Sequence, residues 1–227
     1  MPVPSDSDLL VLLGVRLRSF GAEDAIAATA GLDVVDVRAR LERFEQIGLV
    51  GHRERPTAGW QLTSAGRAEG ERRLAAELDE TGARPAVAGA YARFLAVNQP
   101  LLDACTSWQL RLVDGAPVVN DHADPGHDAT VLAALVTLDD AVQPVAADLA
   151  EALGRFGGYG PRLSGALAKV QGGDVDWFTK PTIDSYHSVW FELHENLLAT
   201  LGIDRATEPV ATEPVATEPL TASEETT

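Results

Sequence analysis

Arginine side chains in the first third of the chain are the residues best suited to contact a ligand. Residues 1–75 contain ten arginines and no lysine against eleven acidic residues, so this part is nearly neutral. A guanidinium group can donate two hydrogen bonds to a guanine edge or hold a phosphate. Arg38, Arg40 and Arg43 fall within one predicted helix. Base and phosphate recognition is therefore the chemistry to consider first.

Three predicted helices position these arginines. Apolar residues on one face predict a helix over residues 8–20, with Ser5 or Ser7 as its N-cap, and an alanine-rich stretch predicts a second helix over residues 22–30. Asp33 is the expected N-cap of the third. A short helix, a glycine turn and a capped helix form a helix-turn-helix pattern. Residue spacing predicts one buried stripe on the third helix, formed by Val37, Leu41, Phe44 and Ile47.

A hairpin and a long helix are predicted next. Residues 49–53 and 60–62 favour two short strands around a turn at residues 56–59, which contains proline and glycine. Thr63 is the expected N-cap of the helix that follows. Three helices, a two-stranded wing and a further helix predict a winged helix-turn-helix DNA-binding domain over residues 1–82.

Helical patterns dominate the rest of the chain. No convincing strand alternation follows residue 62, so residues 83–205 are expected to form an all-α domain for dimerisation and effector binding. Residues 206–227 contain three consecutive proline-containing repeats and predict a disordered acidic tail. The expected fold class is thus mainly α. The helices of the second domain are predicted over residues 86–111, 128–155, 161–171 and 184–201.

The N-terminal third resembles the MarR-like winged helix-turn-helix transcriptional regulators. The resemblance rests on residues 32–50, LDVVDVRARLERFEQIGLV, and residues 62–67, LTSAGR, and covers about one-third of the chain. It implies that the third helix reads DNA bases, that the wing contacts the minor groove or the backbone, and that long helices outside the motif build a homodimer. The helical domain resembles only uncharacterised bacterial regulators, from which no function transfers.

The residues expected to contact DNA lie on the exposed face of the third helix and on the wing. Arg38 is the best candidate for a guanine contact, and the other arginines could hold phosphates. The alternative for each arginine is that it pairs with neighbouring acids on a solvated surface. The alternative for the whole motif is a winged-helix protein-interaction adaptor that does not bind DNA. The full candidate set is Val35, Arg38, Ala39, Arg40, Glu42, Arg43, His52, Arg53, Arg55 and Thr57.

The helical domain offers weaker candidates for chemistry. Metal-binding candidates are His122, His127, His187 and His194, which would make the protein a metal sensor or an enzyme. His187 and His194 are seven residues apart, about 10.5 Å along a helix, which favours core positions over shared ligation. No cofactor or metal is therefore expected.

Neither catalysis nor a defined ligand follows from the other residues of this domain. Ser185 and His187 lie too close in sequence on one helix to converge, and Cys105 falls on an apolar stripe, so no enzyme is predicted. Several polar and aromatic residues have the spacing of interior positions, so a small-molecule effector site is one alternative. These residues are Asn98, Trp108, Gln109, Asn120, Tyr159, Trp177, Tyr186 and Trp190.

Charge and composition indicate a cytoplasmic protein. The net charge is −16, and most of it lies after residue 75, where it would limit indiscriminate binding to DNA. One cysteine excludes an internal disulfide and favours a reducing compartment. The longest apolar run, residues 9–15, is too short to span a bilayer, and the first residues lack the basic region of a signal peptide, so no membrane association is expected.

Overall fold

A computed structural model of the chain describes residues 4–54 and 58–207. The fold is mainly α, with two small two-stranded antiparallel sheets, and this confirms the expected fold class. The first elements are α1 (Ser7–Arg18), α2 (Glu23–Ala30), α3 (Val34–Gln46), β1 (Val50–Arg53), β2 (Gly59–Leu62) and α4 (Ser64–Thr81). They are followed by α5 (Arg84–Gln109), β3 (Leu110–Val113), β4 (Ala116–Val119), α6 (Pro125–Ala152), a 3-10 turn (Gly154–Phe156), α7 (Tyr159–Gln171), α8 (Asp176–Thr179), α9 (Tyr186–Leu201) and a last 3-10 turn (Arg205–Thr207).

Side-chain caps fix where the first helices begin. The Asp33 carboxylate accepts a hydrogen bond from the Val35 amide at 2.8 Å, as the sequence predicted. The cap of α1 was predicted wrongly, because Asp6, between the two serines, accepts the bond from the Asp8 amide. A carboxylate at this position also interacts favourably with the positive end of the helix dipole.

The predicted buried stripe of α3 is correct at three of its four positions. Val37, Leu41 and Phe44 are fully buried, whereas 62% of Ile47 is exposed. The helix ends at Gln46 and the chain reverses through Gly48, whose φ is +75°. Ile47 therefore lies beyond the last helical turn, and its spacing no longer places it on the core face.

The wing is held against the start of the domain by Trp60. His52 pairs with Trp60 in the β1–β2 register, and the Trp60 backbone exchanges two hydrogen bonds with Gly21. A Cβ atom at Gly59 would lie 2.6 Å from the Phe20 ring, so a larger residue here would require that ring to move. Residues 55–57, which include the first two positions of the predicted turn, lie outside the described residues, and Gly59, its last position, begins β2.

The core of the helical part also includes a residue of α4. α5 and α6 form the most extensive helix pair, and α7 and α9 pack against them. Leu78 of α4 belongs to this core, and Leu74 packs with Ala199 of α9 in a smaller cluster that also contains Leu9 and Leu13. The winged helix and the helical part are thus joined by apolar contacts.

The second domain is not all-α, which corrects the sequence prediction. β3 and β4 form a hairpin whose turn residues, Asp114 and Gly115, have φ values of +51° and +81°. An Asp-Gly pair is a strong signal for such a two-residue turn. The sequence pattern predicts a helix that continues to residue 111, whereas α5 ends at Gln109 and β3 begins at Leu110. The hairpin leaves Leu112 and Val119 about three-quarters exposed.

Among the described residues, α6 is the one helix that is long and apolar enough to cross a membrane by length and composition. The core helix of a folded domain meets the same criterion. Leu135, Val142 and Leu149 of α6 are fully buried in the core. The first two residues of the predicted tail, 206 and 207, belong to the last 3-10 turn. The rest of the predicted tail, from residue 208 onward, lies outside the described residues.

Candidate functional site

The third helix and the wing border one surface groove. The groove has a volume of about 330 Å³ and lies between the start of α2, the start of α3 and the β1–β2 hairpin. Its lining includes Glu23, Arg38, His52 and Trp60. We call the exposed face of α3 together with the wing the α3–wing surface.

The residues predicted for base contact are accessible on this surface. Val35 is 65% exposed, and Ala39 and Glu42 are also exposed. The Arg38 side chain is 54% exposed and donates from Nε to Glu23 Oε2 at 2.7 Å. This hydrogen bond and the charge of Glu23 raise the pKa of Arg38, so the guanidinium remains charged. Arg38 is therefore available at the surface but is already paired.

Arg40 and Arg43 are not beside Arg38. Arg40 Nε and Arg43 Nη2 lie 3.2 Å and 2.5 Å from Asp8 Oδ1 at the start of α1. Arg40 also donates to the Asp36 carbonyl at 3.0 Å. Positions 38 and 40 are about 200° apart around a helix axis, so they occupy opposite flanks of α3. The structure thus places these two predicted phosphate contacts against α1.

Two of the predicted contact residues of the wing, His52 and Arg53, lie within the described residues. The His52 ring lies 4.6 Å from the Trp60 ring. Arg53 donates to Gln61 at 3.0 Å, and its guanidinium lies 5.0 Å from the centre of the Phe20 ring. Arg55 and Thr57 lie outside the described residues.

The histidines considered for metal binding contact other groups or lie within the core. His122 Nδ1 is 2.9 Å from Asp128 Oδ2, and His127 Nε2 is 2.8 Å from the Ser107 carbonyl. His194 is buried beside Phe94, whereas His187 is half-buried and burial lowers its pKa. Among the residues that the structure describes, no three His, Cys, Asp or Glu side chains form a cluster suited to a metal ion.

Ser185 and Cys105, the other reactive side chains considered, form a helix cap and part of the core. Ser185 caps α9 by accepting from the Ser188 amide, and Asp184 pairs with Arg162. Burial raises the pKa of Cys105 to about 12, which keeps the thiol protonated at neutral pH.

Most of the predicted interior polar and aromatic residues form hydrogen bonds with one another or with neighbouring groups of the helical part. Asn98 accepts from Trp190 at 2.8 Å, Tyr186 donates to Asp139 at 3.1 Å, and Asn120 donates to the Trp108 carbonyl at 3.0 Å. The remaining ones differ: Gln109 is exposed, Trp177 lies under Lys169, and Tyr159 lines a large cleft.

Comparison of the chain with protein-family models, with curated proteins and with solved structures gives no match. The resemblance to MarR-like regulators therefore rests on the residues of the winged helix alone.

Proposed function

We propose that the protein is a cytoplasmic, homodimeric DNA-binding transcriptional regulator. In this proposal α3 enters the major groove, the wing contacts the DNA backbone, and the helical part sets the dimer geometry and responds to an effector. The observation that carries the proposal is the α3–wing surface, on which Val35, Arg38 and Ala39 are exposed and Arg38 borders the same groove as the β1–β2 hairpin. A helix presented in this way beside a hairpin is suited to a groove about 12 Å wide.

Arg38 supplies the specific contact in this proposal. Its ion pair with Glu23 is solvent-exposed, and exposed pairs contribute little to stability. The guanidinium can therefore exchange Glu23 for a guanine edge, to which it donates two hydrogen bonds. A homodimer would place two such helices about one helical turn apart on a two-fold operator.

A second candidate function, a protein-interaction adaptor, is favoured by the distribution of charge. Arg40 and Arg43 are held by Asp8, and Glu23, Asp24 and Glu42 surround Arg38. A surface with this balance carries fewer free cations than DNA binding normally uses. The exposed apolar side chains of α3 would then contact a protein partner.

DNA binding by the full chain distinguishes these two functions. We expect the protein to bind a duplex taken from upstream of its own gene more tightly than a scrambled duplex, with an affinity that falls linearly with salt on a log–log scale. Arg38→Ala should reduce the preference between the duplexes by about tenfold or more. Arg72→Ala, on the exposed side of α4, is the matched control and should change neither property.

Absence of binding at low salt, by a protein whose circular dichroism shows that it is folded, would contradict the DNA-binding proposal and favour the adaptor. If the protein bound both duplexes equally and Arg38→Ala had the same affinity as the wild type, α3 would not be part of the interface.

A further inference from the structure

The β3–β4 hairpin leaves one apolar face uncovered. Leu112 and Val119 are 75% and 76% exposed, and Leu110 and Pro117 are exposed as well. The strand register places Leu110 opposite Val119 and Leu112 opposite Pro117. Because residues directly opposite each other share a face, as do alternate residues of one strand, these four side chains lie on one side of the hairpin. We call this side the hairpin face.

The base of the hairpin is attached firmly to the helical part. Asn120, which follows β4, is buried and donates to the Trp108 carbonyl at 3.0 Å and to Asp128 Oδ1 at 2.8 Å. His122 Nδ1 lies 2.9 Å from Asp128 Oδ2, and the His122 ring lies 4.6 Å from the Trp108 ring. These contacts fix the strands relative to α5 and α6, so the hairpin face is a defined part of the surface.

The hairpin face requires an apolar partner. Its leucine, valine and proline side chains offer neither a hydrogen bond nor a charge, so a polar surface packed against it would lose hydrogen bonds to water without gaining others. Among the described residues, five of the eleven large apolar side chains that are exposed belong to residues 110–119. The same hairpin of a second copy therefore supplies a surface of the required kind.

The distribution of charge favours a second copy at this place. The chain has a net charge of −16, so two copies repel each other over most of their surfaces, as do the chain and an anionic lipid surface. Residues 110–119 contain one arginine and one aspartate and have no net charge. The arginine, Arg111, is paired with Asp121 at 3.2 Å. Two copies that meet at their hairpins therefore bring together surfaces that repel each other little.

Packing of the hairpin face against its own copy gives a closed assembly. Two sheets pack face to face about 10 Å apart, with the side chains of both filling the space between them. Contact of one patch with the same patch about a two-fold axis ends at two copies. The four apolar side chains of each copy would form the centre of the interface, and polar residues such as Gln109 and Asp121 would form its rim.

We propose that the hairpin faces of two copies pack against each other about a two-fold axis and join the chain into a homodimer, with Leu112 and Val119 of each copy at the centre. The homodimer itself belongs to the proposed function, on which this inference rests. The surface that forms it is different from the one implied by the resemblance to MarR-like regulators, in which long helices build the dimer. The two hairpins would then set the distance between the two winged helices.

Sedimentation equilibrium of the full chain without DNA tests the proposal. We expect a reversible dimer at micromolar concentrations. Leu112→Lys and Val119→Lys each place a charge at the centre of the interface, and each dimer carries the change twice, so the dissociation constant should rise at least about hundredfold. Val118→Lys is the matched control, because Val118 is exposed on the opposite face of the same strand. It should change the dissociation constant less than about fivefold.

Three results would overturn the proposal. The first is a wild-type chain that remains a monomer, whether free in solution or bound to phosphatidylcholine vesicles. The second is a dimer whose dissociation constant is the same in Leu112→Lys and Val119→Lys, with circular dichroism showing that both variants are folded. The third is an equal loss of association in Val118→Lys, which would exclude the hairpin face as the specific contact.

The same measurements separate this inference from the proposed function. A dimer that depends on Leu112 and Val119 but binds no DNA would contradict the proposed function alone. DNA binding by a dimer that both lysine variants leave intact would contradict this inference alone.

Discussion

Glu23, the first residue of α2, and Arg38, on α3, form an ion pair of 2.7 Å across the turn of the helix-turn-helix. The pair joins the two helices at the α3–wing surface. Glu23 therefore already binds the guanidinium group that is proposed to contact DNA. Any nucleic acid that contacts Arg38 must therefore displace Glu23 or bind beside it.

Replacing Glu23 by Gln should strengthen DNA binding. The change removes a negative charge from the α3–wing surface and frees Arg38 for a guanine edge, so the affinity for DNA should rise at a given salt concentration. The affinity of Glu23→Gln, Arg38→Ala and the double variant for one duplex checks this. In the Arg38→Ala background, Glu23→Gln should increase the affinity for DNA by a smaller factor. Weaker binding by Glu23→Gln would mean that Glu23 orients Arg38 for DNA rather than competing with it.

Gly66→Ala should destabilise the winged helix. An added Cβ would lie 1.8 Å from the Leu49 carbonyl oxygen, so the backbone must shift. We expect a loss of about 1–3 kcal/mol in the free energy of unfolding, measured by urea denaturation. Gly89→Ala, at an exposed position of α5 with open space around it, is the control and should stabilise by about 0.5–1 kcal/mol. A neutral Gly66→Ala variant would mean that α4 can move away from Leu49.

Arg155→Met should be among the most destabilising substitutions. It would leave the Glu77 carboxylate, whose side chain is 10% exposed, without its partner at 2.9 Å. Removing one member of a buried ion pair costs about 3–5 kcal/mol. The double variant Arg155→Met/Glu77→Met should recover part of this loss in the same urea experiment. Arg93→Met breaks the exposed pair with Asp148 and should change stability by less than about 1 kcal/mol.

Stability should fall on the acid side because of His187. Burial lowers the pKa of this residue in the folded state below its ordinary value of 6.5. The unfolded chain therefore binds the proton more readily, and stability is lost as pH falls below about 6.5. Above neutral pH, the melting temperature of His187→Gln should vary with pH as that of the wild type does. Below neutral pH, it should fall less than that of the wild type. An equal decline in His187→Gln would assign the effect to other groups.

Local signals predicted the winged helix well because its elements begin and end at residues that act on their neighbours. Asp33 and Thr63 cap α3 and α4 through hydrogen bonds to amides two and three residues ahead. Ile47 departs from the pattern because its helix ends one residue earlier, and spacing alone does not reveal an end.

The candidate sites were harder to predict because their partners are distant in sequence. Asp8 binds Arg43 from 35 positions away, and Arg155 reaches Asn196 across 41. No periodicity encodes such pairs. The Asp114-Gly115 turn was the one local signal that could have identified the second hairpin.

The placement of Leu74 and Leu78 on α4 bears on how the chain unfolds. Both leucines are buried, one against Ala199 and one in the core of the helical part, yet they belong to a helix that also completes the winged helix. Separating the chain at Gly82 would expose apolar side chains on both fragments. The two halves should therefore melt in a single cooperative transition, so that a lesion in either half lowers the stability of the whole chain.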